Sequence, residues 1–258
     1  MEASRAPLLD HLFELRTRLF RSLAAFVITF IVCYIFAEHI YEFLVQPLAI
    51  AFDGEEGRRL IFTAPQETFI TYLRISAFGA LCFSFPWVAG EIWSFVAPGL
   101  YKNERKAFLP FILATPVLFV AGASLVYYFV MPLVFRFFLG FETPGGDGGL
   151  PIELETRVSE YLSLVMTLMF AFGLSFQLPV LLTLLGRAGI VSADFLRRGR
   201  KYAVVGVFLV AAFLTPPDII SQIGLAIPVL LLYEISIWAV AVIEKRRKAD
   251  EAARDAGP

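Results

Sequence analysis

The chain has 258 residues, of which 58% are hydrophobic and 17% charged, and 27 of them are phenylalanine. Soluble domains run at about 45–50% apolar and about 25% charged, so this composition excludes an ordinary soluble domain and, equally, a disordered chain. Two cysteines in so long a chain exclude a disulfide scaffold, and a net charge of -1 points away from a nucleic-acid partner.

Taken in chain order, Leu8, Leu12, Leu15 and Leu19 form an apolar stripe at helical spacing, with Glu14, Arg18 and Arg21 on another face. This predicts an interfacial helix over 1–18 that lies on the cytoplasmic surface and runs into a first span. A spanning helix needs about 20 mostly apolar residues, because the hydrocarbon is about 30 Å thick. The runs between charges predict six transmembrane helices within a single membrane domain, at about 19–37, 69–90, 107–135, 161–186, 202–215 and 219–243. Arg21 and Arg74 reach the first two only by snorkelling to the interface. Arg197, Arg198, Arg200 and Lys201 abut the fifth span, and Leu214-Thr-Pro-Pro-Asp218 joins it to the sixth. Those two spans therefore read as a short hairpin beside which the bilayer thins. Residues 244–258 form a charged cytoplasmic tail.

Thr63-Ala-Pro-Gln66 has the spacing of a capping box opening the second span, and Pro144-Gly-Gly-Asp-Gly-Gly149 is a flexible loop. Pro86, Pro110, Pro116, Pro132, Pro179 and Pro228 fall in or beside the spans and predict kinked helices. The fold class is thus an all-α polytopic membrane protein of six kinked helices with a short fifth and sixth span. An even span count puts both termini on one side. That side carries 17 of the Lys and Arg residues and the other side 5, so the positive-inside rule makes both termini cytoplasmic. Asp10, Glu14, Arg16 and Arg18 precede the first apolar run, which does not read as a cleavable signal. The expected home is a bacterial cytoplasmic (inner) membrane.

Nucleophile elbows, zinc motifs and phosphate loops are missing from the sequence. His11 and His39 are expected on opposite sides of the membrane, so they cannot share a metal, and Cys33 and Cys82 read as small buried hydrophobes. No enzyme, metal or cofactor is expected. Interest falls instead on acidic and polar residues in unusual places. Glu14 and Glu104 both lie on the cytoplasmic side. Each either pairs with a basic neighbour, Arg18 for Glu14 and Arg105 or Lys106 for Glu104, or receives a cationic partner. Gln177 lies deep in the fourth span, where an uncompensated amide costs a few kcal/mol. It either faces a polar recess or repairs the helix beside Pro179. Glu234, in the sixth span, either snorkels toward Lys245 and Lys248 or serves a function. A small-solute or ion secondary transporter with Gln177 and Glu234 at its midplane is the rival reading, and a structural scaffold a third. The lack of internal repeats weighs against the transporter.

His11-Leu-Phe-Glu-Leu-Arg16, Phe95-Val-Ala-Pro-Gly-Leu-Tyr101 followed by Glu104, Phe172-Gly-Leu-Ser-Phe-Gln-Leu-Pro179 and Leu214-Thr-Pro-Pro-Asp218 occur in an order and spacing that resemble the TatC family. This family is the multispanning receptor subunit of the twin-arginine protein translocase, and the resemblance runs from His11 to about Glu244. It implies that Glu14, Phe95 and Glu104 bind the paired arginines of a folded cargo's signal peptide. It further implies an oligomeric complex with TatA- and TatB-like single-span partners, driven by the proton-motive force. Many relatives carry glutamate where this chain has Gln177, which leaves hydrogen bonding to a partner but no ionisation. Asp218, in the extracytoplasmic turn, also matches a family position.

Overall fold

The computed structural model describes residues 6–52, 59–100, 109–143, 150, 152, 154–214 and 219–255. Nine helices lie among these residues: α1 (Ala6–Ile35), α2 (Ala37–Ala51), α3 (Glu67–Leu100), α4 (Leu109–Leu125), α5 (Met131–Leu139), α6 (Val158–Ser175), α7 (Leu178–Arg187), α8 (Ala193–Leu214) and α9 (Ile219–Asp255). The two-residue strands β1 (Leu60–Ile61) and β2 (Thr156–Arg157) pair in a small two-stranded sheet. The chain divides into two compact units: Met1–Gln46 with Leu60–Pro116 and Arg157–Leu162, and Pro47–Arg59 with Val117–Thr156 and Ser163–Pro258.

In the first unit α1 packs along α3. The interfacial segment and the first span are one continuous helix, because the single proline between Ala6 and Ile35 is Pro7, in the first turn, where a backbone N–H has no intrahelical partner. Gly79 lets the helices approach, since a Cβ there would stand 3.0 Å from Cys33 Sγ. Cys33 is buried, as expected of a small hydrophobe. At the start of α3 the capping box closes through Glu67 rather than Gln66: Glu67 Oε2 accepts from the Thr63 N–H at 2.8 Å. Its other oxygen accepts from the Ser159 hydroxyl at 2.5 Å and the Ser159 N–H at 3.3 Å, tying the starts of α3 and α6 together. Tyr161 donates to the Leu44 carbonyl at 2.7 Å, bringing α2 to the same end.

In the second unit α4 meets α6 at a close crossing. A Cβ on Gly122 would lie 2.6 Å from the Phe172 carbonyl oxygen, so only glycine permits this approach. Two helices break where proline predicts. Between α4 and α5, residues Val126–Val130 form a π-helical turn, and the Met131 N–H donates five residues back to Val126. Pro132 has no N–H for the next ladder position, and the wider turn makes room for its ring. The expected fourth span is two helices, α6 and α7, with Pro179 in the first turn of α7.

Packing of α7, α8 and α9 centres on Ala193, Leu196, Ile237 and Val240. Helix α7 ends in a Schellman arrangement, with Gly189 at φ 75°, the Gly189 N–H on the Gly186 carbonyl and the Ile190 N–H on the Leu185 carbonyl. Ser192 Oγ then caps the Phe195 N–H at 3.1 Å, and Glu244 Oε1 accepts from the Ala193 N–H at 3.1 Å. These bonds gather the basic segments around Arg187, Arg197 and Lys245 at one end of the unit.

Five helical stretches among the described residues are long and apolar enough to cross a membrane: Leu12–Ile35, Glu67–Phe95, Phe111–Leu139, Val158–Arg187 and Gln222–Arg247. Helix α8 is not among them. Arg197, Arg198, Arg200 and Lys201 fill its first half and leave 13 uncharged residues, 202–214. At about 1.5 Å per residue that is about 20 Å, well short of a hydrocarbon layer of about 30 Å.

Candidate functional site

Glu14 and Arg18 lie one turn apart on α1, facing the C-terminal half of α3. Arg18 donates from Nε at 3.0 Å and from Nη2 at 2.6 Å to the same oxygen, Glu14 Oε1. Its third nitrogen, Nη1, donates to Glu91 Oε2 at 3.0 Å and, at 3.5 Å, to the Glu91 carbonyl. The Arg21 guanidinium stands farther off, with Nη1 3.9 Å from Glu91 Oε1. Side-chain exposure is 40% at Glu14, 20% at Arg18 and 13% at Glu91. Two carboxylates from different helices are thus held side by side by one guanidinium, whose fork satisfies both. The expected pairing of Glu14 with Arg18 is present. It is not the exposed and nearly worthless pair of a solvated helix face, because Glu91 closes its other side.

Glu91 is not among the candidates the sequence singles out. A signal was available: Glu91 and Phe95 are spaced i, i+4 and share one face of α3. Phe95 is half-buried. Between them on the chain, Trp93 donates from its indole N–H to Thr115 Oγ1 at 3.1 Å, and Thr115 donates to the Phe111 carbonyl at 2.8 Å. That link fixes α3 against α4. Glu104 and Asp218 lie outside the described residues.

The two other polar candidates, Gln177 and Glu234, belong to the second unit. Gln177 sits at the break between α6 and α7, where its backbone N–H donates to Leu174 at 2.9 Å, one residue short of a helical bond. Its side-chain Nε2 donates at 3.3 Å to the Gly173 carbonyl, the acceptor its own N–H would take in an unbroken helix. The side-chain amide thus stands in for a backbone donor beside Pro179. Glu234, on α9, accepts from Arg200 Nη2 at 2.7 Å, and both groups are about half-exposed. Beside it Tyr233 donates to the Leu196 carbonyl at 2.8 Å. Among the described residues no group of three His, Cys, Asp or Glu could hold a metal ion.

Residues 10–228 match the family described as Sec-independent protein translocase protein, TatC. A Magnetococcus marinus protein named Sec-independent protein translocase protein TatC is 47% identical over 252 residues, which cover 98% of this chain and 90% of that protein. Its namesake from Rickettsia prowazekii is 46% identical over 238 residues, covering 92% and 94%. The crystal structure of a twin-arginine translocase receptor, TatC, matches this fold with a TM-score of 0.77 at 34% identity, covering 91% of this chain and 99% of that one.

Proposed function

The chain belongs to the TatC family of Sec-independent protein translocase proteins, and from that premise we propose that it is the receptor that docks twin-arginine signal peptides at its cytoplasmic face. Its family activity is transport rather than catalysis. The observation that carries the proposal is the Glu14 carboxylate: it is 40% exposed, and Arg18 holds it against the helix that bears Phe95. A rigidly held carboxylate suits guanidinium. Arginine presents a planar fork that can bind both oxygens, whereas lysine is a point charge with no preferred plane. A charge-assisted hydrogen bond contributes about 1.5–3 kcal/mol when partly desolvated, against about 0–1 kcal/mol for an exposed pair. Two such bonds, one at Glu14 and one at Glu104, are enough to favour an arginine pair over a lysine pair, and Phe95 would pack the apolar part of the peptide.

In this reading the chain crosses a bacterial inner membrane six times with both termini cytoplasmic, α8 being a short fifth span beside a thinned bilayer. Gathering of Arg187, Arg197 and Lys245 at one end of the second unit supports that orientation. The chain assembles with TatA- and TatB-like single-span partners, which contact the membrane-embedded helices near Gln177 and Glu234, with Asp218 in the turn on the far side. It exports folded cargo at the expense of the proton-motive force. A secondary transporter would need Gln177 and Glu234 to face a shared midplane site. Gln177 instead donates to its own helix and Glu234 pairs with Arg200.

Export of a folded reporter bearing a twin-arginine leader, in cells whose own copy is deleted, tests the proposal. Glu14→Ala and Glu104→Ala are expected to abolish export while the protein still accumulates in the membrane. Full export by both variants would overturn it.

A further inference from the structure

We propose that Glu91 is a third carboxylate of the arginine-docking patch, and that Arg18 is the internal guanidinium that presets Glu91 and Glu14 for an incoming arginine. The inference rests on the receptor reading above and adds residues to it. Each carboxylate can accept about four hydrogen bonds. Arg18 spends both of its contacts to Glu14 on Oε1, and no described residue donates to Oε2. At Glu91 the Arg18 bond goes to Oε2, while Oε1 has only Arg21 at 3.9 Å, beyond hydrogen-bond length. The cluster thus holds two negative charges, one tightly bound guanidinium and an acceptor oxygen on each carboxylate with no hydrogen bond among the described residues.

Without Arg18 the two carboxylates would repel and swing apart, and each would have to be ordered when cargo bound. With Arg18 between them they are oriented in advance, which removes that ordering cost from binding. Glu91 is 13% exposed. An arginine reaching it is therefore more desolvated than one at the rim, and the contact is correspondingly stronger. Lysine at position 18 would keep the charge but could not span both groups, because it lacks the fork. Arg18 is a positioning residue here, and Glu91 a specificity-determining one.

The test is the affinity of the purified full-length protein in detergent micelles for a fluorescent twin-arginine peptide and its Lys-Lys counterpart, read by anisotropy. In Glu91→Gln the arginine peptide is expected to bind about tenfold more weakly, as for loss of one charge-assisted contact, with the Lys-Lys peptide little changed. Arg18→Lys is expected to narrow the preference in the same way, and Glu91→Asp to restore most of it. If Glu91→Gln fails to fold, Arg18→Lys carries the same readout. An unchanged preference in Glu91→Gln and in Arg18→Lys, or an equal loss for both peptides, would reduce the cluster to helix packing and overturn the proposal. If the wild-type protein shows no preference between the peptides, the receptor reading itself fails.

Discussion

Replacing Thr115 with valine keeps shape and volume while removing the hydroxyl that accepts the Trp93 indole N–H at 3.1 Å. Thr115 is buried, at 2% exposure, so the indole N–H loses its partner where water cannot easily replace it. In membrane proteins the coupling of such interhelical bonds averages about 0.6 kcal/mol and reaches about 1.7 kcal/mol, less than in water-soluble cores because the unfolded helices also find partners. The full cost of Thr115→Val is larger, about 1–3 kcal/mol, because it includes the orphaned donor. Trp93→Phe removes the donor and part of the ring. The double variant should therefore be less destabilised than the two single ones together, by about 0.5–1.5 kcal/mol. Unfolding titrations in mixed detergent micelles on all four proteins measure this coupling. Strict additivity would refute the reasoning, because it would mean that the bond between α3 and α4 contributes nothing to the placement of Phe95.

Gly122→Ala puts a methyl 2.6 Å from the Phe172 carbonyl oxygen, which must force α4 and α6 apart; it should cost about 1–3 kcal/mol in the same titration. Gly189→Ala should cost about 1 kcal/mol, because alanine at φ 75° is strained in the Schellman turn that ends α7. Arg200→Gln should change stability by less than about 1 kcal/mol, since both ends of its pair with Glu234 are half-exposed; a larger loss would mean that the pair is desolvated by lipid. For the proposed topology, Gly146→Cys in an otherwise cysteine-free chain should react with an impermeant thiol reagent in intact cells, and Asn103→Cys should not.

Much of the helical framework was legible in the sequence, because apolar length is a one-dimensional property. Runs between charges mark five stretches that the structure makes into long apolar helices, and the same arithmetic marked the fifth expected span as too short to behave like the others. Proline chemistry predicts kinks: Pro132 and Pro179 stand at breaks, whereas Pro86, Pro116 and Pro228 lie inside continuous helices. The π-helical turn before Pro132 is not legible in the sequence, which also leaves open whether Gln177 repairs its helix or faces a polar recess. Both depend on which neighbouring carbonyl is left over once the chain has turned. The capping box at Thr63 closes one residue later than its spacing predicts, since Gln66 and Glu67 both suit the role and only the reach to Ser159 on α6 selects Glu67. The spacing of Glu91 and Phe95 hints at Glu91, but its pairing is not legible in the sequence, for the same reason. Its partner Arg18 is 73 residues away, and helical periodicity says which residues share a face but not which face of another helix it will meet.

The central claim is that this chain reads paired arginines at a carboxylate cluster. It is tested most directly by photo-crosslinking in native membranes, with a photo-reactive residue placed beside the arginine pair of a signal peptide. The account predicts labelling near Glu104, lost when the pair becomes Lys-Lys and lost again in Glu104→Ala. Labelling that persists unchanged through both substitutions would contradict it.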